Sequence, residues 1–240
     1  MPKYETTLTA SETVAEGTMA FHFAKPAGFK FQAGQSMNVS LIDPPETDGK
    51  GNSRTFSIAS APYESELAIA TRMRDTAFKR VLKAMPARGR VGLRGPAGIF
   101  TLDPADARPA VFLAGGIGVT PFLSLSRQAA HDRLARDIWL FYSNRRPEDA
   151  PFLDELAALP QRNPRFRFVG TMVEMDKSSR RWSGETGFLD RAMLERHLKA
   201  LAASVYYVAG PPGLVEAMVK ILADAGVEDE AIRTDEFLGY

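Results

Sequence analysis

Apolar positions along the chain follow two rhythms. Up to about residue 100 they recur in short alternating runs, at 4–10, 19–24, 37–41, 55–58, 66–72 and 90–93. Gly, Pro and Asp punctuate these runs, so each predicts a short strand. One stretch, 76–84, instead places Phe78, Val81 and Leu82 on a single helical face with Thr76 near its start. The polar, turn-rich segment 43–52 predicts a loop. Many short strands with one helix predict a small antiparallel β-barrel.

The rhythm changes near Thr101-Leu102-Asp103-Pro104. Strand-like runs at 110–114, 137–142, 165–169, 204–209 and 232–236 now alternate with helical patterns at 121–131, 152–159, 190–201 and 213–225. That alternation predicts an α/β domain with a parallel sheet covered on both faces, its ligands gathered at the carboxyl edge of the strands. The expected division is a barrel domain at 1–103 and an α/β domain at 104–240.

Composition narrows the chemistry. The 240 residues are 45% hydrophobic, enough for two cores. A net charge of +1 gives no global pull toward nucleic acid or an acidic membrane. These residues include no cysteine, which excludes disulfides, thiolate-held iron–sulfur clusters and cysteine nucleophiles among them. His22, His131 and His197 show no metal-binding spacing and are expected at the surface or in ordinary packing. No apolar signal-like run opens the sequence and none reaches the roughly 18–20 residues of a membrane span. A soluble, cytoplasmic monomer is the expectation.

Two glycine loops stand out. Gly115-Gly116-Ile117-Gly118-Val119-Thr120-Pro121 follows a strand and opens a helix, with Thr120 placed to cap it and Pro121 suited to its first turn. Free amides there could receive a phosphate oxygen, although a tight turn with no ligand reads equally well from the loop alone. The spacing is neither the GxGxxG fingerprint nor a P-loop, which argues against an NTPase. Gly210-Pro211-Pro212-Gly213 makes a second strand-to-helix shelf on the same edge. In the barrel half, Arg54-Thr55-Phe56-Ser57 puts a guanidinium fork and an aromatic face on one side of a strand and two hydroxyls on the other. The plainer alternative is a solvent-facing arginine beside core packing. Gly95-Pro96-Ala97-Gly98 is a rigid loop or simply a connector.

The order and spacing of these motifs resemble the ferredoxin–NADP reductase family of flavoprotein oxidoreductases over roughly residues 5–240. They look most like compact bacterial members without a fused iron–sulfur, globin or haem domain. The resemblance implies an antiparallel barrel that binds FAD, followed by an α/β domain that binds NADPH or NADH. It implies Arg54 on the FAD pyrophosphate, Phe56 against the flavin or ribityl chain, and Ser57 near flavin N5, with Thr55 completing the motif. Phe56 stands where tyrosine is usual, keeping the stacking face and losing a hydroxyl. Gly34-Gln35 resembles the turn before the flavin-facing strand. Thr71 and Arg72 match adenine-side and phosphate contacts, and Thr76 the start of the phosphate-binding helix, where Met73-Arg74-Asp75 replaces a stretch often containing glycine. Gly95 and Gly98 belong to the motif that closes the barrel.

In the second domain the resemblance places Gly115, Gly116, Gly118, Thr120 and Pro121 around the nicotinamide nucleotide, Thr120 beside the nicotinamide. Gly210, Pro211 and Pro212 form the other wall, with Ala209 where a cysteine is common. Asn144, Arg145 and Arg146 fall at the adenosine ribose, Arg180 and Arg181 add positive charge, and the absence of an acid ending the 138–143 strand favours NADPH without excluding NADH. Asp235, or Glu236 beside it, matches an acidic residue of the active centre, and Phe237 or Tyr240 a cover for the flavin. The implied activity passes electrons from the nucleotide through FAD to a ferredoxin, a flavodoxin or an oxygenase component. Ser57 and Thr120 would position the reactants, and Asp235 would assist proton exchange or tuning. Alternatives are a free-flavin reductase and a flavin-based redox-sensing regulator. Arg72, Arg74, Lys79, Arg80 and Lys83 form a possible docking patch for an acidic acceptor, although a solvated helix face explains the last three equally well.

Overall fold

The structure, a computed structural model, describes residues 1–237. Its first half comprises β1 (Lys3–Ala15), β2 (Thr18–Ala24), β3 (Ser36–Leu41), β4 (Ser53–Ser57), β5 (Glu66–Arg72), α1 (Ala77–Ala84) and β6 (Arg90–Ala97). The strands pair in the order β4-β3-β6-β1-β2-β5, every pair antiparallel. The sheet rolls on itself: just past β4, the Ala59 amide donates to the Ala68 carbonyl of β5 at 2.8 Å. Alternation selects the inner face, β3 turning Met37, Val39 and Leu41 inward and β2 adding Phe21 and Phe23. Phe78 and Leu82 of α1 enter the same core. Thr76 caps this helix, its hydroxyl accepting from the Lys79 amide at 3.4 Å.

β1 is longer than its apolar alternation predicts. A bulge between Leu8 and Ala10 breaks the two-residue period. Beyond it an exposed polar stretch still pairs with β2, so hydrogen bonding continues where the hydrophobic signal stops.

The second half comprises β7 (Ala110–Gly115), α2 (Thr120–His131), β8 (Ile138–Asn144), α3 (Leu153–Ala158), β9 (Phe166–Met172), β10 (Glu185–Thr186), α4 (Arg191–His197), β11 (Val205–Gly210), α5 (Pro212–Asp224) and β12 (Ile232–Glu236). Its sheet runs β10-β9-β8-β7-β11-β12, parallel throughout. β7 and β11 are buried at every residue, which is why they read as unbroken apolar runs. Phe122 and Leu156 cover one face, and Leu194, Met218 and Leu222 the other. α4 ends at His197, short of the expected 201. Leu198 and Leu201 stay buried after the chain leaves the helix, so the apolar spacing outlasts the hydrogen bonds.

Among the described residues, polar contacts tie the halves together on two sides. Ser124 of α2 donates to the Ser60 carbonyl at 2.7 Å, and Arg127 pairs with Glu155 at 2.7 Å and with Glu64 of the barrel at 3.3 Å. On the other side, Arg146 reaches Glu16 at the β1–β2 turn at 2.6 Å, and the Glu16 amide donates to the Glu148 carbonyl at 2.9 Å. Among the described residues no helix is long and apolar enough to cross a membrane.

Candidate functional site

β7 ends at Gly115, and a short 3-10 turn, Gly116–Val119, carries the chain into α2. Gly118 is packed against backbone: a Cβ there would lie 2.4 Å from the Ala209 carbonyl oxygen and 2.6 Å from the Gly210 Cα. Gly210 has φ +155, and its Cβ would lie 3.1 Å from Gly115 backbone atoms. The two glycine shelves therefore touch, side by side at the carboxyl ends of adjacent strands.

Thr120 does not cap α2 as expected. The 3-10 turn starts the helical run several residues earlier, so Thr120 lies inside it; its hydroxyl donates to the Ile117 carbonyl at 3.0 Å and the residue is 1% exposed. Pro121 follows in the first turn, and Pro211 stands at the N-cap of α5 with Pro212 opening the helix.

A cavity of about 570 Å³ opens over these shelves. Gly115, Gly116, Asn144, Arg145, Pro211 and Leu214 line it from the α/β half, and Arg72 and Arg74 line it from the barrel. Asn144 ends β8 and is buried, and neither its amide nitrogen nor its amide oxygen has a hydrogen-bond partner. An unpaired buried donor and acceptor fit a polar ligand. Arg145 is exposed, 3.9 Å from Asp149. Arg146, expected beside it, is committed to Asp149 at 2.8 Å and to Glu16. Arg181 is exposed and is not among the residues that line the crevice. The crevice role of Arg74 and the exposed Phe188 on its wall were not legible in the sequence, because both depend on which loops meet.

The barrel holds a second constellation. Arg54 and Phe56 lie toward α1: the Arg54 guanidinium is 5.2 Å from the centre of the Phe78 ring, and the Phe56 ring 5.9 Å from it. Thr55 is exposed on the opposite side, and its hydroxyl oxygen accepts from the Asn38 amide at 3.5 Å. Ser57 is buried at the end of β4, opposite Ser36. Arg54 Nη2 donates to both Asp48 oxygens, at 2.8 and 3.1 Å, while Nη1 donates to the carbonyls of Lys50, Gly51 and Ser53. Arg80 of α1 forks onto Glu46 at 2.9 and 2.6 Å and also pairs with Asp75. Lys79 donates to the Arg72 carbonyl at 2.7 Å, and burial lowers its pKa. The expected docking patch is therefore broken up: Arg80 and Lys79 are bonded within the chain, and Arg72 and Arg74 face the crevice.

A guanidinium beside the first turn of a capped helix is a donor set suited to a diphosphate, so the residues present fit FAD. Thr71 is buried on β5, its hydroxyl donating to the Arg72 carbonyl at 3.4 Å, and Arg72 Nη2 donates to the Asp149 carbonyl at 3.3 Å. Gly95 and Gly98 have φ of +152 and +97, and Gln35 donates to the Gly98 carbonyl at 3.0 Å. A Cβ at Gly34 would lie 2.0 Å from the Phe100 carbonyl oxygen, so the 34–35 turn and the 95–100 loop are fitted to one another.

The last strand adds an acid. Asp235 is in register with Ala209, and burial raises its carboxyl pKa above the ordinary range. The Phe237 amide donates to the Gly210 carbonyl at 3.0 Å, and its ring packs against the cluster of Ala20, Ala70 and Ile117, where barrel meets α/β half. Tyr240 lies outside the described residues.

Residues 112–220 match the oxidoreductase NAD-binding domain family. Over 189 residues the chain is 32% identical to ferredoxin–NADP reductase B of Sorangium cellulosum, covering 78% of this chain and 74% of that protein. It is 27% identical over 230 residues to the glycine betaine monooxygenase reductase subunit of Chromohalobacter salexigens, covering 94% of this chain but 61% of that protein. A ferredoxin NADP+ reductase structure from Neisseria gonorrhoeae with bound FAD and NADP superposes with a TM-score of 0.81 at 22% identity, over 98% of each chain.

Proposed function

Because this chain belongs to the ferredoxin–NADP reductase-like family of flavoprotein oxidoreductases, we propose that it takes electrons from NAD(P)H at the crevice and passes them by way of FAD to a separate redox protein. FAD is the cofactor and NAD(P)H the reducing substrate. The observation that carries the reading is the crevice itself: it lies at the carboxyl ends of parallel strands and takes residues from both halves, so a nucleotide bound there meets the barrel. We take the domain boundary at 103/104.

Bound FAD supplies hydride acceptance from a nicotinamide and onward release of electrons one at a time. The chain supplies position and polarity. We assign Arg54 and the α1 start at Thr76 to the FAD diphosphate, Phe56 and Phe237 to its planar ring, and Ser57 to a hydrogen bond at the ring's edge. Gly118 lets the loop lie close against β11. Thr120 spends its hydroxyl hydrogen on Ile117, which leaves its oxygen as an acceptor. Asn144 offers its unpaired amide to the nucleotide once the buried side chain turns toward the crevice, and Arg145, Arg72 and Arg74 favour one with an extra phosphate, NADPH over NADH. Burial raises the pKa of Asp235, in register with Ala209, so its carboxyl gives up a proton less readily than an exposed one.

The acceptor we propose is a ferredoxin, a flavodoxin or an oxygenase component. The names of the relatives support this: beside the ferredoxin–NADP reductase stand reductases of monooxygenase and dioxygenase systems, of which this chain spans about three-fifths. These residues contain no cysteine, so any iron–sulfur relay is held outside them. We place this compact unit in the cytoplasm as a monomer. Anaerobic titration with NADPH and NADH in turn is the test. Stoichiometric bleaching of retained flavin is expected, at lower concentration with NADPH; flavin that stays oxidised with both would sink the proposal.

A further inference from the structure

The loop joining β3 to β4 is bonded to both sides of the cradle assigned to the FAD diphosphate. At its far end Asp48 occupies Arg54 Nη2 with both oxygens, and the carbonyls of Lys50, Gly51 and Ser53 take Nη1. Nε is the one nitrogen of this guanidinium without a hydrogen-bond acceptor among the described residues. Nearer its start, Glu46 forks onto Arg80. Arg80 lies one turn into α1, and its other partner, Asp75, directly precedes the helix cap. Two of the loop's carboxylates, Asp48 and Glu46, thus sit on the cation of β4 and on the cation beside the helix start.

We propose that Asp48 is an internal competitor for the FAD diphosphate, so that the 43–52 loop sets how tightly the flavin is held. This rests on the reading of Arg54 as the diphosphate ligand. An arginine binds a phosphate strongly by two parallel N–H bonds, using Nη2 with either Nε or Nη1. Both pairs include the nitrogen that Asp48 holds, or the one held by the three carbonyls. A diphosphate therefore displaces the carboxylate or accepts one weaker bond beside a like charge. The clasp is placed to yield: Arg54 and Asp48 side chains are 21% and 30% exposed, and Glu46 and Arg80 are 40% and 49% exposed. Part-exposed ion pairs of this kind stay open to solvent screening and contribute little individually. Asp48 Oδ1 also accepts from the Lys50 amide at 2.9 Å, so the loop keeps a local turn when Arg54 is released. Linkage makes the effect reciprocal: whatever holds the loop on Arg54 weakens FAD, and FAD loosens the loop.

The test is FAD binding to the full-length, flavin-stripped protein, read by quenching of flavin fluorescence, for wild type, Asp48→Asn, Glu46→Gln and Arg54→Ala. Asparagine keeps the Lys50 turn and removes the charge. Asp48→Asn is expected to bind FAD about tenfold tighter, the scale of one charge-assisted hydrogen bond. Glu46→Gln should shift affinity in the same direction by a smaller factor, and it decides the matter if Asp48→Asn does not fold. Unchanged or weaker FAD binding in these variants overturns the proposal and makes the loop a scaffold that presents Arg54. The underlying reading fails separately: Arg54→Ala is expected to lose affinity, and wild-type affinity there would remove Arg54 from the diphosphate site altogether.

Discussion

At the ends of β7 and β11 the backbone is bare: glycines and prolines meet one another, and an asparagine amide is left unpaired on the wall. At β4 and α1 the side chains are long, charged and already bonded to their own loop. Both regions face a dinucleotide in our reading. The crevice is opened by missing side chains where the two glycine shelves meet. The cradle offers cations that must first leave a carboxylate. A substrate that comes and goes suits the first arrangement, and a retained cofactor whose hold is adjustable suits the second.

The harshest way to break this comparison is Gly118→Ala. Its Cβ would meet the Ala209 carbonyl oxygen at 2.4 Å, and backbone cannot swing aside as a side chain can. Overpacking of this sort costs about 1–3 kcal/mol. The shelves should separate, and flavin reduction by NADPH should slow about a hundredfold while FAD stays bound. Stopped-flow reduction beside flavin content checks it. A full rate would show that close approach of the loop to β11 is not what the crevice requires.

Next is the junction that keeps the two regions facing each other. Arg127 is largely buried between Glu155 and Glu64, and removing it leaves two carboxylates without their cation. Arg127→Met should cost about 2 kcal/mol, between the values for exposed and buried pairs, and lower the melting temperature by about 4–8 °C. The loss should be larger in reduction rate than in FAD affinity, since the cradle lies within the barrel alone. Equal losses in both would mean that the cradle, too, depends on the junction.

The legibility of the molecule follows the same division. The barrel strands and the buried β7 and β11 were readable because period-two alternation and unbroken apolar runs are burial patterns written directly in sequence. Gly118 and Gly210 were readable because a backbone contact excludes every other residue. The charge pairings were not. Arg146 looks like a nucleotide ligand until Glu16, 130 residues earlier, arrives beside it. Asp48 is only six residues from Arg54, yet a polar loop shows no periodicity that says which cation its carboxylate meets. β10 escaped notice because two residues carry no pattern; it exists through pairing with β9. The unpaired amide of Asn144 likewise depends on what fails to reach it.

That amide gives a smaller and cleaner test. Asn144→Leu removes a buried donor and acceptor that nothing in the described protein satisfies. A structural asparagine would lose stability when replaced. A ligand-facing one should leave stability unchanged or slightly raised, and should raise the KM for NADPH about tenfold, the worth of one or two hydrogen bonds. Flavin affinity should not move. Thermal unfolding measured beside steady-state kinetics separates the two cases, and a lowered melting temperature with unchanged KM would remove Asn144 from the nucleotide site.

The smallest effect is expected on the last strand, beside the glycine shelf. Burial beside Ala209 raises the Asp235 carboxyl pKa in the folded state above its unfolded value. A carboxyl raised on folding favours the native state while protonated. Its contribution is thus full below the unfolded value of about 3.9 and is lost as pH rises through the folded value. Asp235→Asn is always neutral and escapes that loss. The variant should be modestly more stable than wild type at neutral pH, with the difference shrinking as pH falls toward 4. Denaturant midpoints measured from pH 4 to 8 check the sign. A gap that widened on acidification would mean that the carboxylate, not the acid, is the form this strand end is built to hold.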